Sequence, residues 1–470
     1  MSSSPIDLQN LDRMRPPDEA RRIIAERLPR MEPEAVPLAD AIGRILAEDI
    51  TAPEDHPPFP ASTMDGFAVL AADHSPWREI IGTQKAGDVI DAEVTDGYTV
   101  RIMTGAPLPP GADAVVPVEA TELAEDHVII HQEDVSAGEN VRPVGSDVRR
   151  GDLILPAGTQ LGPAEVGLVA SMGIDPVPVT RRPRISVLST GDELVEPGEP
   201  LGPGQIRDSN RFSLLAALRA EPVEITFAGK APDDREQLET FLRQRMAEDD
   251  IVITSGGVSM GELDLVKAIL FDAPDVTVHF RRLYMKPGKP LNFATTGTTL
   301  IFGLPGNPVS SLVTCELFIR TAIRQMIGAA TVDRPVVKVT LEEDAAPSDR
   351  IEYQRGIVRV GPEGTHAARP QYRHAALVAA GVVPRRERVP DPRPARAPLR
   401  RRRDRQRDDA RRAVRILMRL WTPRNEVRHP ERQRRIPARS APRRRRGWNI
   451  RERHLALRAS GFAGGFFASL

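Results

Sequence analysis

The stretch DIVITSGGVSMGELD (residues 250–264) begins as a buried strand and changes character halfway. Its β-branched run at 251–254 predicts a strand inside a covered sheet. Gly256 and Gly257 then let the backbone turn with its N–H groups exposed, and Ser259 adds a hydroxyl donor to that of Ser255. A strand, a glycine turn and a following helix N-terminus suit an oxyanion or phosphate. Taken alone, the pattern is equally typical of a plain strand-to-helix turn.

Strands and helices alternate on both sides of this stretch, over residues 181–330. In order, the predicted elements are strand RISVLST, helix RFSLLAALRA, strand VEITFAG, helix DREQLETFLRQRMAE, strand DIVITS, helix LDLVKAILF, strand TLIFGL and helix PVSSLVTCELFIRTAIRQMIG. Such alternation predicts an α/β domain built on a doubly wound parallel sheet with helices on both faces. Ligands of these sheets bind at the carboxyl ends of the strands, so the loops after each strand are the candidate site.

The rest of the chain divides into segments with different patterns. Residues 1–50 carry two helix signals, DEARRIIAERLPRM and PLADAIGRILAEDI, and are expected to form a linker domain together with residues 146–180. Residues 51–145 alternate short β signals with Gly and Pro turns, which predicts an inserted, mostly β domain. Residues 331–370 predict a small C-terminal β-barrel that stops incomplete. The predicted fold class is therefore multidomain α/β plus β.

The net charge of zero is the sum of two unlike pieces. Residues 371–470 hold 29 Arg and 8 acidic side chains, whereas residues 1–370 hold 36 basic and 57 acidic ones. A basic tail can bind nucleic acid, but this tail has no Lys, and its Arg, Ala, Pro and Gly all have GC-rich codons. It carries too little apolar surface to fold alone. We expect a disordered, out-of-frame product and no nucleic-acid partner.

The single cysteine and the absence of long apolar runs exclude several classes of protein. Cys315 alone cannot form an intramolecular disulfide, and its place in the apolar helix LVTCELFI predicts a core thiol. No segment has membrane-spanning length, and MSSSPIDLQN lacks the features of a cleavable leader. The nine His are scattered, so neither a zinc cluster nor a Ser-His-acid triad is indicated. We expect a cytoplasmic protein.

Two more polar loops are predicted at the edge that carries the glycine turn. GLPGNPVSS follows strand TLIFGL, with Asn307 placed as helix N-cap and Pro308 at the first helical position. Pro305 stiffens the turn, so the helix N-terminus points at a defined spot. STGDELVEPG follows strand RISVLST and brings Asp192 and Glu193 to the same edge. Three such loops on one edge favour a ligand site over three unrelated turns.

Cations and further carboxylates belong to the same candidate site. MKPGKP holds Lys286 and Lys289, two of only six lysines in the chain, in a turn stiffened by proline and suited to clasping an anion. Carboxylates around an anion site suggest a magnesium ion that bridges them to phosphate oxygens. The carboxylates available to it are Asp192, Glu193, Asp208, Glu262 and Asp264, of which Glu193, Asp208 and Asp264 are the predicted metal ligands.

The inserted domain carries two polar loops of its own. FPASTMDGFAV presents Ser62, Thr63 and Asp65 after a proline-fixed turn, and RIMTGAPLPPGAD presents Thr104 before another. A turn that only joins two strands seldom needs so many prolines with a threonine at its apex. Singly, each is also compatible with an ordinary loop.

Seven motifs, in order, closely resemble those of the molybdopterin molybdenumtransferase family, whose animal counterpart is the C-terminal part of gephyrin. They are PASTMDGFAV, RIMTGAPLPPGADAVVPVE, SVLSTGDELVEPG, DSNRFSLLAAL, DIVITSGGVSMGELD, MKPGKPLNFA and GLPGNPVSSLVTCELF, and the resemblance covers about residues 5–370. It implies transfer of molybdenum from molybdate into adenylylated molybdopterin with release of AMP, assisted by a divalent cation, usually magnesium. It also implies a homodimer with shared active sites and a possible contact with the preceding adenylyltransferase.

The candidate residues come from both sources. The resemblance implies functional roles for Asp65, Thr104, Asp147, Glu193, Asp264, Arg282, Lys286, Pro305, Pro308, Arg355 and one member of the Asp233/Asp234 pair, for which we take Asp233. The loop patterns themselves nominate Ser255, Gly256, Gly257, Ser259, Lys289, Gly306, Asn307 and Ser310 for substrate binding. Among these, Asp65, Thr104, Glu193, Asp264 and Lys286 are the predicted catalytic residues. The chain departs from the family after THAARP, where a Gly/Ser-rich segment with a functional serine is replaced by QYRHAALVAAGVVPRRERVP.

Four alternatives compete with this interpretation. The adenylyltransferase of the preceding step shares the α/β domain but usually carries GGTG where this chain has Gly256-Gly257-Val258-Ser259, and it lacks the inserted domain. The nicotinamide-nucleotide deamidases lack the KPGKP and LPGNP pair. A non-catalytic, gephyrin-like scaffold would have no need of Asp264 and Lys286. A nucleic-acid binder rests on the tail alone.

Overall fold

The computed structural model describes residues 11, 13–230, 234–256, 269, 273–342, 348–360, 366–370 and 381–382, with side chains up to residue 358. The first elements are helix α1 (Pro17–Ala25), strand β1 (Pro33–Val36), a 3-10 turn (Leu38–Asp40) and strand β2 (Ile50–Thr51). Helix α1 buries Ala20 and Ile24 on one face and carries Asp18 and Glu19 in its first turn, where acids favour a helix. This helix agrees with the first helix signal.

The helix predicted for the segment PLADAIGRILAEDI is wrong, because this segment forms only the short 3-10 turn before Gly43. Gly43 has φ of 77°, a left-handed conformation that interrupts a helix. The next residues form isolated bridges instead, Ile45 with Gln160 and Leu46 with Val179. The side chains of Ile45 and Leu46 are buried, so the apolar spacing reflects packing between neighbouring segments and not one face of a helix.

Eight strands make up the inserted domain. They are β3 (Ala61–Ser62), β4 (Gly66–Val69), β5 (Trp77–Gln84), β6 (Tyr98–Ile102), β7 (Ala114–Pro117), β8 (Thr121–Ala124), β9 (His127–Ile130) and β10 (Val141–Arg142). Six of them form one sheet in the order β7-β4-β6-β5-β9-β8, antiparallel except for the parallel β5–β6 pair, and β3 pairs with β10. Phe67 and Ala68, adjacent on β4, enter two different apolar clusters, so both faces of this sheet are covered.

The chain then returns to the region where it began. Strand β11 (Leu153–Leu155), helix α2 (Pro163–Ser171) and strand β12 (Val177–Thr180) follow the inserted domain. Strand β12 pairs with β1 and β11 with β2, both antiparallel. Segments from before and after the insertion therefore share one core, although the domain boundaries themselves stay predictions.

The α/β domain contains most of the remaining elements. They are β13 (Arg184–Ser189), β14 (Leu194–Val195), β15 (Ile206–Arg207), α3 (Ser209–Leu218), β16 (Glu224–Lys230), α4 (Arg235–Glu248), β17 (Ile251–Ser255), β18 (Thr277–Arg282), β19 (Met285–Lys286), β20 (Pro290–Thr296), β21 (Thr299–Leu304), α5 (Pro308–Thr314) and α6 (Arg320–Met326). A π-helical segment, Cys315–Ile319, joins α5 to α6. The predicted helix LDLVKAILF lies outside the described residues apart from Ile269.

The central sheet is mixed, and the purely parallel sheet expected from the sequence is wrong. Its order is β16-β13-β17-β21-β20-β18, with the first four strands parallel and the last two antiparallel. Strands β20 and β21 are joined by Gly297 and Thr298 alone. Because a connection this short cannot cross over a sheet, the two strands must run in opposite directions.

Helices cover both faces of this sheet. Val187, Ile253 and Phe302 pack with α3, α5 and α6 on one face, and their neighbours Leu188 and Val252 pack with α4 on the other. This alternation follows from the period-2 side-chain geometry of strands. Cys315 is 1% exposed in the first of these clusters, and burial raises the pKa of its thiol, so the predicted core thiol is confirmed.

A buried ionic cluster lies where three segments meet. The Glu221 carboxylate, after α3, is 2.7 Å from Nη1 of Arg324 and 3.7 Å from the guanidinium groups of Arg320 and Arg334. Nη1 and Nη2 of Arg324 also lie 3.4 Å from Oε1 of Gln160 in the linker region. The Glu221 carboxylate thus joins α6 to the segment that enters the C-terminal domain, and Arg324 extends the cluster to the linker region.

The C-terminal domain is described in part. Its strands are β22 (Thr340–Leu341), β23 (Ile351–Glu352), β24 (Arg355–Val360), β25 (His366–Pro370) and β26 (Gly381–Val382). Four form a sheet in the order β22-β25-β24-β26, and β23 pairs in parallel with β19 of the α/β domain. The truncated barrel stays a prediction. In the described residues, no helix combines the length and apolarity needed to cross a membrane.

Candidate functional site

Three parallel strands end side by side at one edge of the central sheet. Ser189 of β13 is in register with Ser255 of β17, which is in register with Leu304 of β21. We call the loops that begin at Thr190, Gly256 and Pro305 the carboxyl rim. They contact one another, because the Thr190 amide donates to the Ser255 carbonyl (3.1 Å) and the Gly256 amide to the Leu304 carbonyl (3.3 Å).

Gly256 is required by the close packing of the carboxyl rim. Its φ is 91°, and a Cβ there would lie 2.6 Å from the carbonyl oxygen of Thr190. A Cβ on Gly306 would lie 3.9 Å from the Cα of Gly256, so the third loop is also near. Gly257, Ser259 and Asp264, predicted for the same turn, lie outside the described residues, and their roles stay predictions.

Buried hydroxyl groups end the strands below the carboxyl rim. Ser189 and Ser255 are 1% and 2% exposed, and within the described part of the chain neither side-chain oxygen has a hydrogen-bond partner. Buried polar atoms are nearly always paired. Unpaired hydroxyls at the ends of adjacent strands are therefore candidate donors to a bound group.

The third loop of the carboxyl rim is built around the start of α5. Oδ1 of Asn307 accepts hydrogen bonds from the amides of Val309 and Ser310 (both 3.1 Å) and lies 3.3 Å from the Ser310 hydroxyl. The predicted N-cap at Asn307, with Pro308 at the first helical position, is confirmed. Nδ2 of Asn210, at the start of α3, donates to the Gly306 carbonyl (2.8 Å), a contact that sequence reasoning missed.

The predicted metal ligands have different surroundings. Glu193 is exposed after the first loop of the carboxyl rim, where its main chain accepts a hydrogen bond from Ile206 (2.8 Å). Asp208 caps α3 through the Arg211 amide (3.1 Å), and its other oxygen is 3.2 Å from Nε of Arg211. The described residues contain no cluster of three metal-ligating side chains. Because Asp264 is not among them, a magnesium site stays a prediction, for which Glu193 offers a suitable carboxylate and Asp208 is already engaged.

The antiparallel strands bring the predicted cations to the same edge. Strand β18 ends at Arg282, opposite Pro290 at the start of β20, and β20 begins beside the end of β21. The segment 283–289, which we call the lysine loop, therefore lies at the carboxyl rim. A Cβ on Gly288 would lie 2.7 Å from Cγ2 of Thr314, so the loop packs tightly against the end of α5.

Two predicted residues of the inserted domain are hydrogen-bonded to each other. Oδ1 of Asp65 accepts from both the amide (2.7 Å) and the hydroxyl (2.8 Å) of Thr104. These two hydrogen bonds, with a smaller contribution from the Arg101 charge, hold the pKa of Asp65 below its ordinary value. Both residues are exposed, so the structure presents an ionised carboxylate and a fixed hydroxyl on the surface of this domain.

The other predicted site residues have local contacts. Asp147 lies 3.4 Å from Nη1 of Arg142 and accepts from the Ser146 hydroxyl (3.3 Å). Arg355 begins strand β24. Asp233 lies outside the described residues, whereas its neighbour Asp234 caps α4.

Comparisons with known proteins match most of the chain up to residue 325. The family model described as the MoeA N-terminal region (domain I and II) matches residues 15–173, and the probable molybdopterin binding domain matches residues 186–325. Molybdopterin molybdenumtransferase of Haemophilus influenzae is 38% identical over 355 residues, which cover 74% of this chain and 87% of the relative. Molybdopterin molybdenumtransferase 2 of Mycobacterium tuberculosis is 38% identical over 379 residues, with 76% and 93% covered.

A eukaryotic relative and a solved structure are similar over comparable lengths. Gephyrin of Dictyostelium discoideum is 36% identical and matches 73% of this chain and 55% of its own length. The crystal structure of the molybdopterin biosynthesis MoeA protein from Pyrococcus horikoshii OT3 superposes with a TM-score of 0.63 at 29% identity, covering 77% of this chain and 91% of that one. The chain has the mixed sheet and the inserted β domain, and it is 38% identical to two molybdenumtransferases over 87% and 93% of their length. It therefore belongs to the molybdopterin molybdenumtransferase family.

Proposed function

We propose that the protein transfers molybdenum from molybdate into adenylylated molybdopterin and releases AMP, the last step of molybdenum cofactor synthesis. The observation that carries this proposal is the convergence of the strand-end loops, the α5 N-terminus and the lysine loop at one edge of the sheet. Buried hydroxyls that have no hydrogen-bond partner in the described part of the chain, together with the positive end of a helix, suit the phosphate groups of such a substrate.

Each part of the site has a proposed task. The carboxyl rim binds the pyrophosphate through the unpaired hydroxyl of Ser255 and the partial positive charge at the start of α5, and Gly256 lets the backbone approach closely. Lys286 and Lys289 of the lysine loop attract molybdate and the phosphate that departs, and cations placed at developing negative charge lower the barrier. A magnesium ion held by Glu193 and Asp264 would supply additional charge neutralisation on the phosphate oxygens.

The inserted domain is proposed to complete the site of a second copy. Asp65 and Thr104 form an exposed, preorganised pair on this domain. The family resemblance suggests that the pair reaches the carboxyl rim of a partner subunit in a homodimer. A further contact with the preceding adenylyltransferase would pass on the adenylylated substrate directly.

The test incubates the full chain with adenylylated molybdopterin, magnesium and molybdate, and measures the released AMP by chromatography. We expect Lys286→Ala and Asp264→Ala to lower the rate at least tenfold each, because each removes a charge next to the transferred group. Glu239→Ala serves as the control, since Glu239 pairs with Arg243 on the exposed surface of α4 (3.0 Å). If Asp264→Ala releases AMP at the unaltered rate, the metal assignment is wrong. Conversion of molybdopterin and ATP to the adenylylated form would instead indicate the preceding activity.

A further inference from the structure

Lys286 is paired with a carboxylate from a distant part of the chain. Strands β19 and β23 run in parallel, with Lys286 opposite Glu352, and Nζ of Lys286 lies 3.4 Å from Oε1 of Glu352. The main chain is joined as well, because the Tyr353 amide donates to the Lys286 carbonyl (2.7 Å). The C-terminal domain thus contacts the lysine loop through both backbone and side chain.

The lysine loop is held on two sides, and its main chain is well fixed. On one side Gly288 packs against Thr314 of α5, and on the other Tyr353 is buried in the same apolar cluster as Met285. The Lys286 side chain, by contrast, is 57% exposed. A free lysine has a flexible four-carbon stem and a strongly hydrated charge, so it loses much rotamer entropy when it binds an anion.

We propose that Glu352 is a positioning residue that holds the ammonium group of Lys286 at the carboxyl rim before the oxyanion binds. This proposal rests on the proposed function of the lysine loop. The Glu352 side chain is only 21% exposed, so its carboxylate is the more fixed member of the pair. Because Glu352 restricts the Lys286 side chain before binding, Lys286 loses less side-chain entropy when the oxyanion binds. A supporting residue preorganises a site in this way.

The carboxylate of Glu352 also repels an oxyanion, and the geometry decides which effect is larger. The ammonium group lies next to the carboxylate, and the Lys286 side chain is more than half exposed, so water and the lysine charge screen the repulsion. Preorganisation therefore outweighs repulsion, and removal of Glu352 weakens oxyanion binding. Lys289 provides the comparison, since no ion pair holds its exposed side chain in the described part of the chain.

The experiment measures the KM for molybdate and kcat in the AMP-release assay, together with equilibrium dialysis of molybdate alone against the full chain. Loss of a half-exposed ion pair changes binding by up to about fivefold. We expect Glu352→Ala to raise the KM and the dissociation constant for molybdate about fivefold while kcat changes less than about twofold. Glu352→Gln, which keeps the size and a hydrogen-bond acceptor, should recover about half of that loss on a logarithmic scale. Glu239→Ala should leave all three values unchanged.

A double-mutant cycle distinguishes positioning from a general structural effect. If Glu352 acts through Lys286, then Glu352→Ala has no further effect in the Lys286→Ala background but keeps its full effect in the Lys289→Ala background. Equal losses in all backgrounds, or tighter molybdate binding by Glu352→Ala, would overturn the positioning role. Molybdate binding that is unaffected by Lys286→Ala would overturn the proposed function instead.

Discussion

Replacement of Gly256 by alanine tests whether the three loops of the carboxyl rim depend on one close backbone contact. The new Cβ would lie 2.6 Å from the carbonyl oxygen and 3.1 Å from the hydroxyl oxygen of Thr190. The carbonyl cannot move freely, because the Thr190 amide is itself bonded to the Ser255 carbonyl (3.1 Å). The substitution must therefore separate the loops that follow β13 and β17.

The magnitude follows from two contributions. An alanine with φ near 91° costs about 1–2 kcal/mol relative to glycine. Forcing an extra carbon against a fixed backbone atom costs about 1–3 kcal/mol more. Because a cooperative unit of about 150–250 residues loses about 2–4 °C of melting temperature per kcal/mol, we expect a decrease of about 10 °C.

The assay is thermal unfolding followed by circular dichroism, with AMP release measured at a temperature where the variant is folded. Gly173→Ala is the matched control, since Gly173 has φ of 66° but no atom within 4 Å of the place that a Cβ would occupy, and it lies far along the chain from the rim. It should lose only about 3 °C, the cost of the backbone conformation alone. If Gly256→Ala melts within about 2 °C of Gly173→Ala and keeps full activity, the reasoning about the close contact is refuted.

Three further results are expected. Thr104→Val should raise the pKa of Asp65 toward its ordinary value, because it removes the hydroxyl donor (2.8 Å); a carboxyl titration by NMR that shows no change would contradict this. Burial, with a smaller contribution from Arg27, lowers the pKa of His279 to about 4 from 6.5. Between these two pH values the unfolded chain binds a proton at His279 that the folded chain does not bind. The free energy of unfolding should therefore fall by about 1–2 kcal/mol as the pH drops from 6.5 toward 4, after allowance for partial exposure. His279→Gln should flatten the melting temperature over that pH range, and an unchanged slope would exclude His279 as its cause. Glu221→Gln should destabilise the protein by about 3 kcal/mol in chemical unfolding, because Arg324 loses its buried carboxylate partner and Arg320 and Arg334 are left with their pairing to Glu316. A loss below about 1 kcal/mol would mean that the cluster is solvated.

The sequence predicts those features that depend on neighbours along the chain. The β-branched run before Ser255 marks a buried strand, and the Asn307-Pro308 pair marks a helix start, because strand burial and N-capping are decided within a few residues. The convergence of three loops at the carboxyl rim then follows from the rule that parallel strands end at one edge.

Features that depend on distant segments could not be predicted in this way. The apolar spacing around Ile45 is as regular as that of a helix. The segment nevertheless adopts an extended backbone, because Ile45 pairs with Gln160 and Leu46 with Val179. Asp208 has the residue type of a metal ligand, but a helix cap and Arg211 engage its carboxylate. The pairing of Lys286 with Glu352 joins residues with no spacing signal between them, so only the structure reveals it.

The reversal of chain direction at β20 and β18 has a consequence for how such a site can change. In the proposed function, phosphate is recognised by loops of the parallel half of the sheet, whereas the two lysines lie on a hairpin of the antiparallel half. The lysine loop joins β18 to its neighbour β20 and crosses none of the parallel strands. Its residues are thus exchangeable as a unit, which makes this hairpin the natural place to graft an altered preference among oxyanions without rebuilding the nucleotide side of the pocket.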